Sequence, residues 1–117
     1  MDPYKPKKKR GPEAIIQTDI IKMLMGLGWF VKPTHGNMFQ SGFPDLFCCH
    51  SKYGTRWIEV KKPDMKGSRF TAAQLDDFPK MSANGCGIWI MTAASEGQYQ
   101  VLFGPPNWQQ YLLMQRM

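Results

Sequence analysis

An aspartate at position 45, in Gly-Phe-Pro-Asp-Leu-Phe, and a Glu-x-Lys at Glu59 and Lys61, in Arg-Trp-Ile-Glu-Val-Lys-Lys, are the residues whose types and spacing could do chemistry. Both are framed by apolar and aromatic residues of the kind that fill buried strands. Charges sit among such residues chiefly when they are paired, bind a metal or react. In a strand, alternate residues share a face, so Glu59 and Lys61 point together while Val60 and Lys62 point away. If the strand begun by Asp45 pairs with this one, Asp45 meets Glu59 on that face. Two carboxylates and a lysine at one end of a sheet suit a hard divalent cation such as magnesium, which takes oxygen ligands and keeps several waters. Such an ion polarises a phosphodiester and lowers the pKa of a bound water. Lys61 would orient or deprotonate that water, or neutralise charge on the phosphorus oxygens. The same spacing also fits a plain ion pair on a sheet face. His35 and His50 stand alone, as loop or strand-end residues, so no softer metal site competes.

The elements that must position these groups follow from pattern. Pro12 and Glu13 suit the first turn of a helix, Ile16, Ile20, Met23, Leu24 and Leu27 recur at helical spacing, and Gly26 and Gly28 end it. Residues 29–33 read as a short strand closed by Pro33, and 34–42 as a loop. Residues 44–50 and 55–62 read as two strands of a hairpin joined at Ser51–Gly54. A basic loop precedes a second helix, where Thr71 and Gln74 form a capping-box signature and Pro79 predicts a kink or an early end. Residues 86–92 read as a buried strand, 98–103 as a strand with alternating character, and 107–117 as a closing helix. The expected order is α-β-β-β-α-β-β-α, an α/β fold with a mixed sheet flanked by helices.

The chain has 117 residues, 43% of them hydrophobic and 13% aromatic, enough for one domain with a real core. No apolar run reaches membrane length and the start is nothing like a secretory signal, so the expectation is a soluble intracellular protein. Cys48, Cys49 and Cys86 form no Cys-x-x-Cys pair and are expected as free thiols in a reducing compartment. The net charge of +6 is uneven: residues 1–10 hold five basic groups against one acid, and the remainder ten against eight. Residues 1–11 therefore read as a basic tail and residues 12–117 as a single domain. Lys7, Lys8, Lys9 and Arg10 would attract phosphate backbones without sequence preference. The run Pro-Lys-Lys-Lys-Arg-Gly also looks like a nuclear localisation signal. A solvated leader explains the tail equally well.

The helix opening Glu-Ala-Ile-Ile-Gln at 13–17, Gly-Phe-Pro-Asp at 42–45, Ile-Glu-Val-Lys at 58–61, a helix with Gln74, and then Ala-Asn-Gly-Cys-Gly-Ile-Trp-Ile-Met at 83–91 resemble, in this order, the VRR-NUC family of the PD-(D/E)XK nucleases. The resemblance implies a restriction-endonuclease-like fold and a metal-dependent endodeoxyribonuclease. Asp45, Glu59 and the main-chain carbonyl of Val60 would hold Mg2+ or Mn2+, and Lys61 would be the catalytic lysine. Glu13 would lie near the metal, or serve only as a helix-start acid. Gln74 would stand near the site, or serve only its capping box. Gly42 and Pro44 would shape the approach to the acid. Lys62, Lys66 and Arg69 would line a phosphate track, with Lys32, Lys52 and Arg56 weaker candidates. Two departures from the pattern are Pro79, inside the second helix, and Gln40 and Ser41, where a basic residue would better meet a phosphate.

Small stand-alone members resemble phage junction-cleaving enzymes that act as homodimers, so the implied partners are branched DNA and a second copy of the chain. The expected activity is Holliday junction resolution, with a flap or nicking nuclease and a noncatalytic nucleic-acid-binding protein as alternatives. The compartment would be a bacterial cytoplasm if phage-encoded, or a nucleus.

Overall fold

The first helix, α1 (Pro12–Gly26), begins as its sequence requires, with proline in the first turn and Glu13 beside it. The structure, a computed structural model, describes residues 11–34, 42–65 and 68–116. Gln17, Ile20 and Leu24 are the buried stripe of α1. After Gly26 the chain reverses through Gly28, whose φ of 92° a side chain would resist. The Trp29 amide then donates to the Leu24 carbonyl at 3.0 Å. The chain next enters β1 (Phe30–Pro33).

Strands β2 (Leu46–His50) and β3 (Gly54–Val60) form the expected hairpin. The turn between them closes at Gly54, with φ 84°. β1 pairs antiparallel with β2, and β2 with β3, in a register that sets Leu46 opposite Ile58. A crossover through α2 (Ala72–Ala83) then brings β4 (Ile88–Met91) parallel to β3. The sheet order is β1-β2-β3-β4.

Strand alternation divides the core in two. Leu46, Cys48, Ile58, Val60, Trp89 and Met91 pack under Ile20 and Leu24 of α1. Ile88 and Ile90 face the other way, against Phe70, Phe78 and Trp108. By the same alternation Glu59 belongs to this second face.

The α/β mixed sheet flanked by helices is as the sequence leads one to expect, but two local readings change. Pro79 neither ends nor shortens α2, which continues to Ala83. Pro79 and Leu75, whose carbonyl loses its helical donor to the proline, are both exposed, so water can meet that carbonyl.

The fifth strand expected over 98–103 is instead α3 (Glu96–Gln100) followed by a 3-10 turn (Val101–Phe103). Ser95 sits in extended backbone and its hydroxyl accepts the Gln98 amide at 3.1 Å, an N-cap that starts a helix where a strand would have to begin. The backbone groups a fifth strand would have met are taken by side chains. Asn107 accepts from the Ile90 amide at 2.6 Å and donates to the Ile90 carbonyl at 3.2 Å, and Gln98 accepts from the Thr92 amide at 2.9 Å. The chain then closes with α4 (Trp108–Arg116).

Cys48 is buried and Cys49 and Cys86 are half-buried, all three as free thiols. Among the described residues no helix is long and apolar enough to cross a membrane.

Candidate active site

Asp45 directly precedes β2, and extending the Leu46–Ile58 register by one residue sets it opposite Glu59. The two residues clasp each other through backbone and side chain. The Asp45 amide donates to Glu59 Oε1 at 3.1 Å, and the Val60 amide donates to Asp45 Oδ2 at 2.8 Å. Each carboxylate is therefore held by the strand that carries the other.

Lys61 follows the last residue of β3. Its amide donates to the Met91 carbonyl at 3.2 Å, so the extended path continues one residue beyond the strand proper. Its Nζ lies 3.1 Å from Glu59 Oε2, donates to the Arg69 carbonyl at 2.8 Å, and sits 5.0 Å from the centre of the Phe70 ring. Lys61 is 2% exposed and Glu59 0%. Ions taken this far from water are tolerable only with good partners, and here each has them. Lys62, by contrast, is half-buried, as the alternation requires.

The donor set can be tested against a metal. Two carboxylates converge, and the Val60 N–H points towards Asp45. Since N–H and C=O of one strand residue leave the same edge, the Val60 carbonyl is directed to that side too. All three donors are hard oxygens, which fits Mg2+ or Mn2+ and not a soft ion. Among the described residues no group of three or more His, Cys, Asp or Glu forms a rival site.

The other expected site residues divide. Glu13 accepts a hydrogen bond from the Ser68 hydroxyl, and Ser68 Oγ accepts the Lys62 amide at 2.9 Å. The start of α1 is thereby tied to the segment that leaves β3. Ser68, 2% exposed, is a residue that sequence reading missed, because its partners come from two distant segments. Gln74 is buried and completes the capping box: its side chain accepts the Thr71 amide and its amide donates to the Thr71 hydroxyl, both at 3.1 Å.

Arg69 is exposed, and its carbonyl holds Lys61. Lys32 and Lys52 are exposed, whereas Arg56 is committed to structure: it donates to the Leu102 carbonyl at 2.7 Å and stacks 4.8 Å from Trp89. Gly42 packs on α2, where a Cβ would collide with the Asp77 carboxylate and approach the Ala73 carbonyl to 3.0 Å. Pro44 is buried, and its carbonyl accepts from the Thr34 hydroxyl. His50 ends β2 as expected. Lys7, Lys8, Lys9, Arg10, His35, Gln40, Ser41 and Lys66 lie outside the described residues.

No family model matches the sequence, and no curated protein matches it. A solved structure of a VRR-NUC domain does, with a TM-score of 0.64 and 18% identity, over 81% of this chain and 98% of that one. The chain has the VRR-NUC fold. Its helices and four-stranded sheet therefore follow a VRR-NUC plan, and Asp45, Glu59 and Lys61 occupy the end of the central strand pair within it.

Proposed function

We propose that this chain is a Mg2+- or Mn2+-dependent, structure-specific DNA endonuclease that resolves four-way junctions as a homodimer. The observation that carries the reading is the Asp45–Glu59 clasp with Lys61 buried against it, within a VRR-NUC fold. Asp45, Glu59 and the Val60 carbonyl would hold the ion, which when bound supplies a polarised phosphodiester and a water of lowered pKa.

The chain's own residues do the rest. Glu59 splits its two oxygens between the Asp45 amide and the Lys61 ammonium, which fixes the position of both carboxylate and lysine. Lys61 has three N–H donors, two of them directed at Glu59 and the Arg69 carbonyl. The third is available to the attacking water or to a phosphate oxygen as negative charge develops. Phe70, packed beside the ammonium, keeps bulk water from screening it.

Recognition rests on phosphate-backbone contacts and on the shape of the branched DNA. Lys62, Lys66 and Arg69 follow the catalytic strand in sequence and are the candidates for a phosphate track, and Lys7, Lys8, Lys9 and Arg10 for a basic arm. Paired nicks in a two-fold symmetric junction require two sites related by a dyad, and a homodimer supplies them.

The test is cleavage of a labelled four-way junction beside a flap and a plain duplex, in Mg2+ or Mn2+, with Lys61→Ala as control. Paired symmetric cuts that the variant loses are the expected result. Cuts confined to the flap would replace junction resolution with flap processing. Binding without cleavage in either metal would make the cluster structural and the protein a noncatalytic nucleic-acid binder.

A further inference from the structure

On the face of the sheet that carries Glu59, α2 and α4 cover the β4 side, where Ile88 and Ile90 pack against Phe78 and Trp108. The β1–β2 side of that face holds a run of aromatic rings. Phe30 of β1 meets Phe47 of β2 with ring centres 6.4 Å apart, Phe47 meets Trp57 of β3 at 5.0 Å, and Phe43 meets Trp57 at 6.0 Å. Phe47 and Trp57 are half-buried, while Phe30 is 52% exposed and Phe43 39%. Lys32, exposed and directly opposite Phe47 in the β1–β2 register, shares the face. The acids on these strands, Asp45 and Glu59, are buried. Rings gathered into one exposed patch mark a contact surface; rings scattered singly do not. The patch is continuous with the candidate site. Phe47 pairs with Trp57, and the same register places Asp45 opposite Glu59, so the two pairs are successive rungs on one face, about 6.6 Å apart.

We infer that this patch is a stacking platform for unpaired bases beside the phosphodiester to be cut, with Lys32 facing the backbone of the same strand. The inference rests on the nuclease reading above. Every base has a π face, so aromatic side chains hold single strands without regard to sequence, and a nearby cation holds the phosphates. A strand whose phosphate lies at Asp45 and Glu59 has its next nucleotide at the Phe47–Trp57 rung, with Phe30 and Phe43 offering exposed rings on either side. Flaps and branch points supply unpaired bases, whereas a plain duplex gives one up only at the cost of unstacking it. A second copy of the chain is the rival occupant of such a face. Phe43 and Phe47 stand before and after Asp45 in the chain, and both rings meet Trp57, so a protein surface covering them closes over the carboxylates and bars the phosphate. A substrate strand covers the same rings and delivers the phosphate. The homodimer proposed above therefore uses another face.

The test is binding by the full chain, in EDTA so that nothing is cut, of a fluorescein-labelled oligothymidylate beside a blunt duplex, read by anisotropy. Phe30→Leu with Phe43→Leu keeps the apolar surface and removes the two exposed ring faces; Phe30→Tyr with Phe43→Tyr keeps both. The expected result is oligothymidylate bound about tenfold more weakly by the leucine pair and undiminished by the tyrosine pair, with duplex affinity level across all three. Lys32→Gln should weaken the single strand less and lower the slope of log affinity against log salt by about 0.7. This exposed substitution also serves if the leucine pair does not fold. Oligothymidylate affinity of the leucine pair within about twofold of the original, less than the loss of one stacked base produces, overturns the platform. An equal loss on the duplex does the same. Unchanged strand binding with a drop in sedimenting mass gives the face to a second copy instead. The nuclease reading fails separately, when the unaltered chain cuts no branched DNA in Mg2+ or Mn2+. That result removes the phosphate to be cut, and this inference with it, without reference to any ring variant.

Discussion

The two ends of the β2–β3 hairpin are built from opposite materials. At the open end Asp45, Glu59 and Lys61 are buried with charges facing one another. The turn end is built mainly from packed aromatic rings. Trp29 stacks on Tyr53 with ring centres 6.0 Å apart and donates its indole N–H to the Tyr99 hydroxyl at 3.1 Å. His50 lies 4.7 Å from Tyr53, Phe103 closes over Tyr53 at 4.8 Å, and His50 Nδ1 accepts the Lys52 amide at 3.0 Å. Aromatic packing of this kind adds stability beyond the area it buries. Buried ions are weak contributors, and well-packed neutral groups often serve folding as well or better. A fold selected only for stability would make both ends alike. On the function proposed above, the open end is the part kept for chemistry, while the turn end holds the sheet.

The sharpest way to break this comparison is to remove both members of the Glu59–Lys61 pair together. Glu59→Gln with Lys61→Met replaces the ion pair by groups of similar volume. Cleavage should fall about a thousandfold, the scale of a lost acid-base or charge-stabilising group. Unfolding free energy should stay level or rise by about 1–4 kcal/mol, as when other buried pairs are replaced. Lys61→Met alone should lose comparable activity but also stability, since Glu59 would remain buried beside the Asp45 amide with its cation gone. If the double variant unfolded in denaturant far more readily than the original, the open end would be structural and the contrast would collapse.

The reverse experiment targets the turn end. Trp29 is 4% exposed and touches His50, Tyr53 and Tyr99. Trp29→Ala should cost about 3–5 kcal/mol in chemical denaturation, the usual range for removing a large buried aromatic. Under conditions where the variant remains folded, its cleavage rate per folded molecule should match the original. A rate loss out of proportion to the folded fraction would mean that the two ends communicate.

The open end was legible in the chain because it depends on local rules. Period-two alternation puts Glu59 and Lys61 on one face, but the register that sets Asp45 opposite Glu59 comes from a connection of three residues, 51–53, one shorter than the four-residue turn read from the sequence. Thr71 and Gln74 declared the start of α2 in the same local way. What escaped notice depends on partners far apart in sequence. Ser68 is meaningful only once Glu13 and the Lys62 amide converge on it. Gln17 reads as an unremarkable polar residue until the helix is seated on the sheet, although its spacing from Ile20 and Leu24 already placed it on the buried stripe. Residues 98–103 misled for a third reason: an alternating run looks like a strand, while the Ser95 cap upstream and the Asn107 amide at the Ile90 edge remove both the start and the need for one.

A smaller effect sharpens the comparison from inside β2. Cys48 is a titratable group that is buried as Glu59 is, but its neighbours are the apolar residues under α1. Burial, with a lesser push from the adjacent Cys49, raises its thiol from 9.0 to about 12. Where Glu59 has a cation and an amide to face, Cys48 has nothing that would hold a thiolate, so the fold keeps it neutral. The sign of the consequence follows. Above pH 9 the unfolded chain releases this proton while the folded chain retains it, so the unfolded state binds fewer protons and stability falls as pH rises. The contribution is fully present below pH 9 and is lost progressively towards pH 12, amounting to about 2 kcal/mol by pH 10.5. Cys48→Val keeps the packing and removes the proton. Denaturant unfolding of both chains at pH 8 and pH 10.5 cancels the titrations they share, and the original chain should lose more stability than the variant over that interval. Parallel pH profiles would mean that a thiolate finds a partner at Cys48, and that the α1 face of the sheet is less purely apolar than its contrast with the charged end requires.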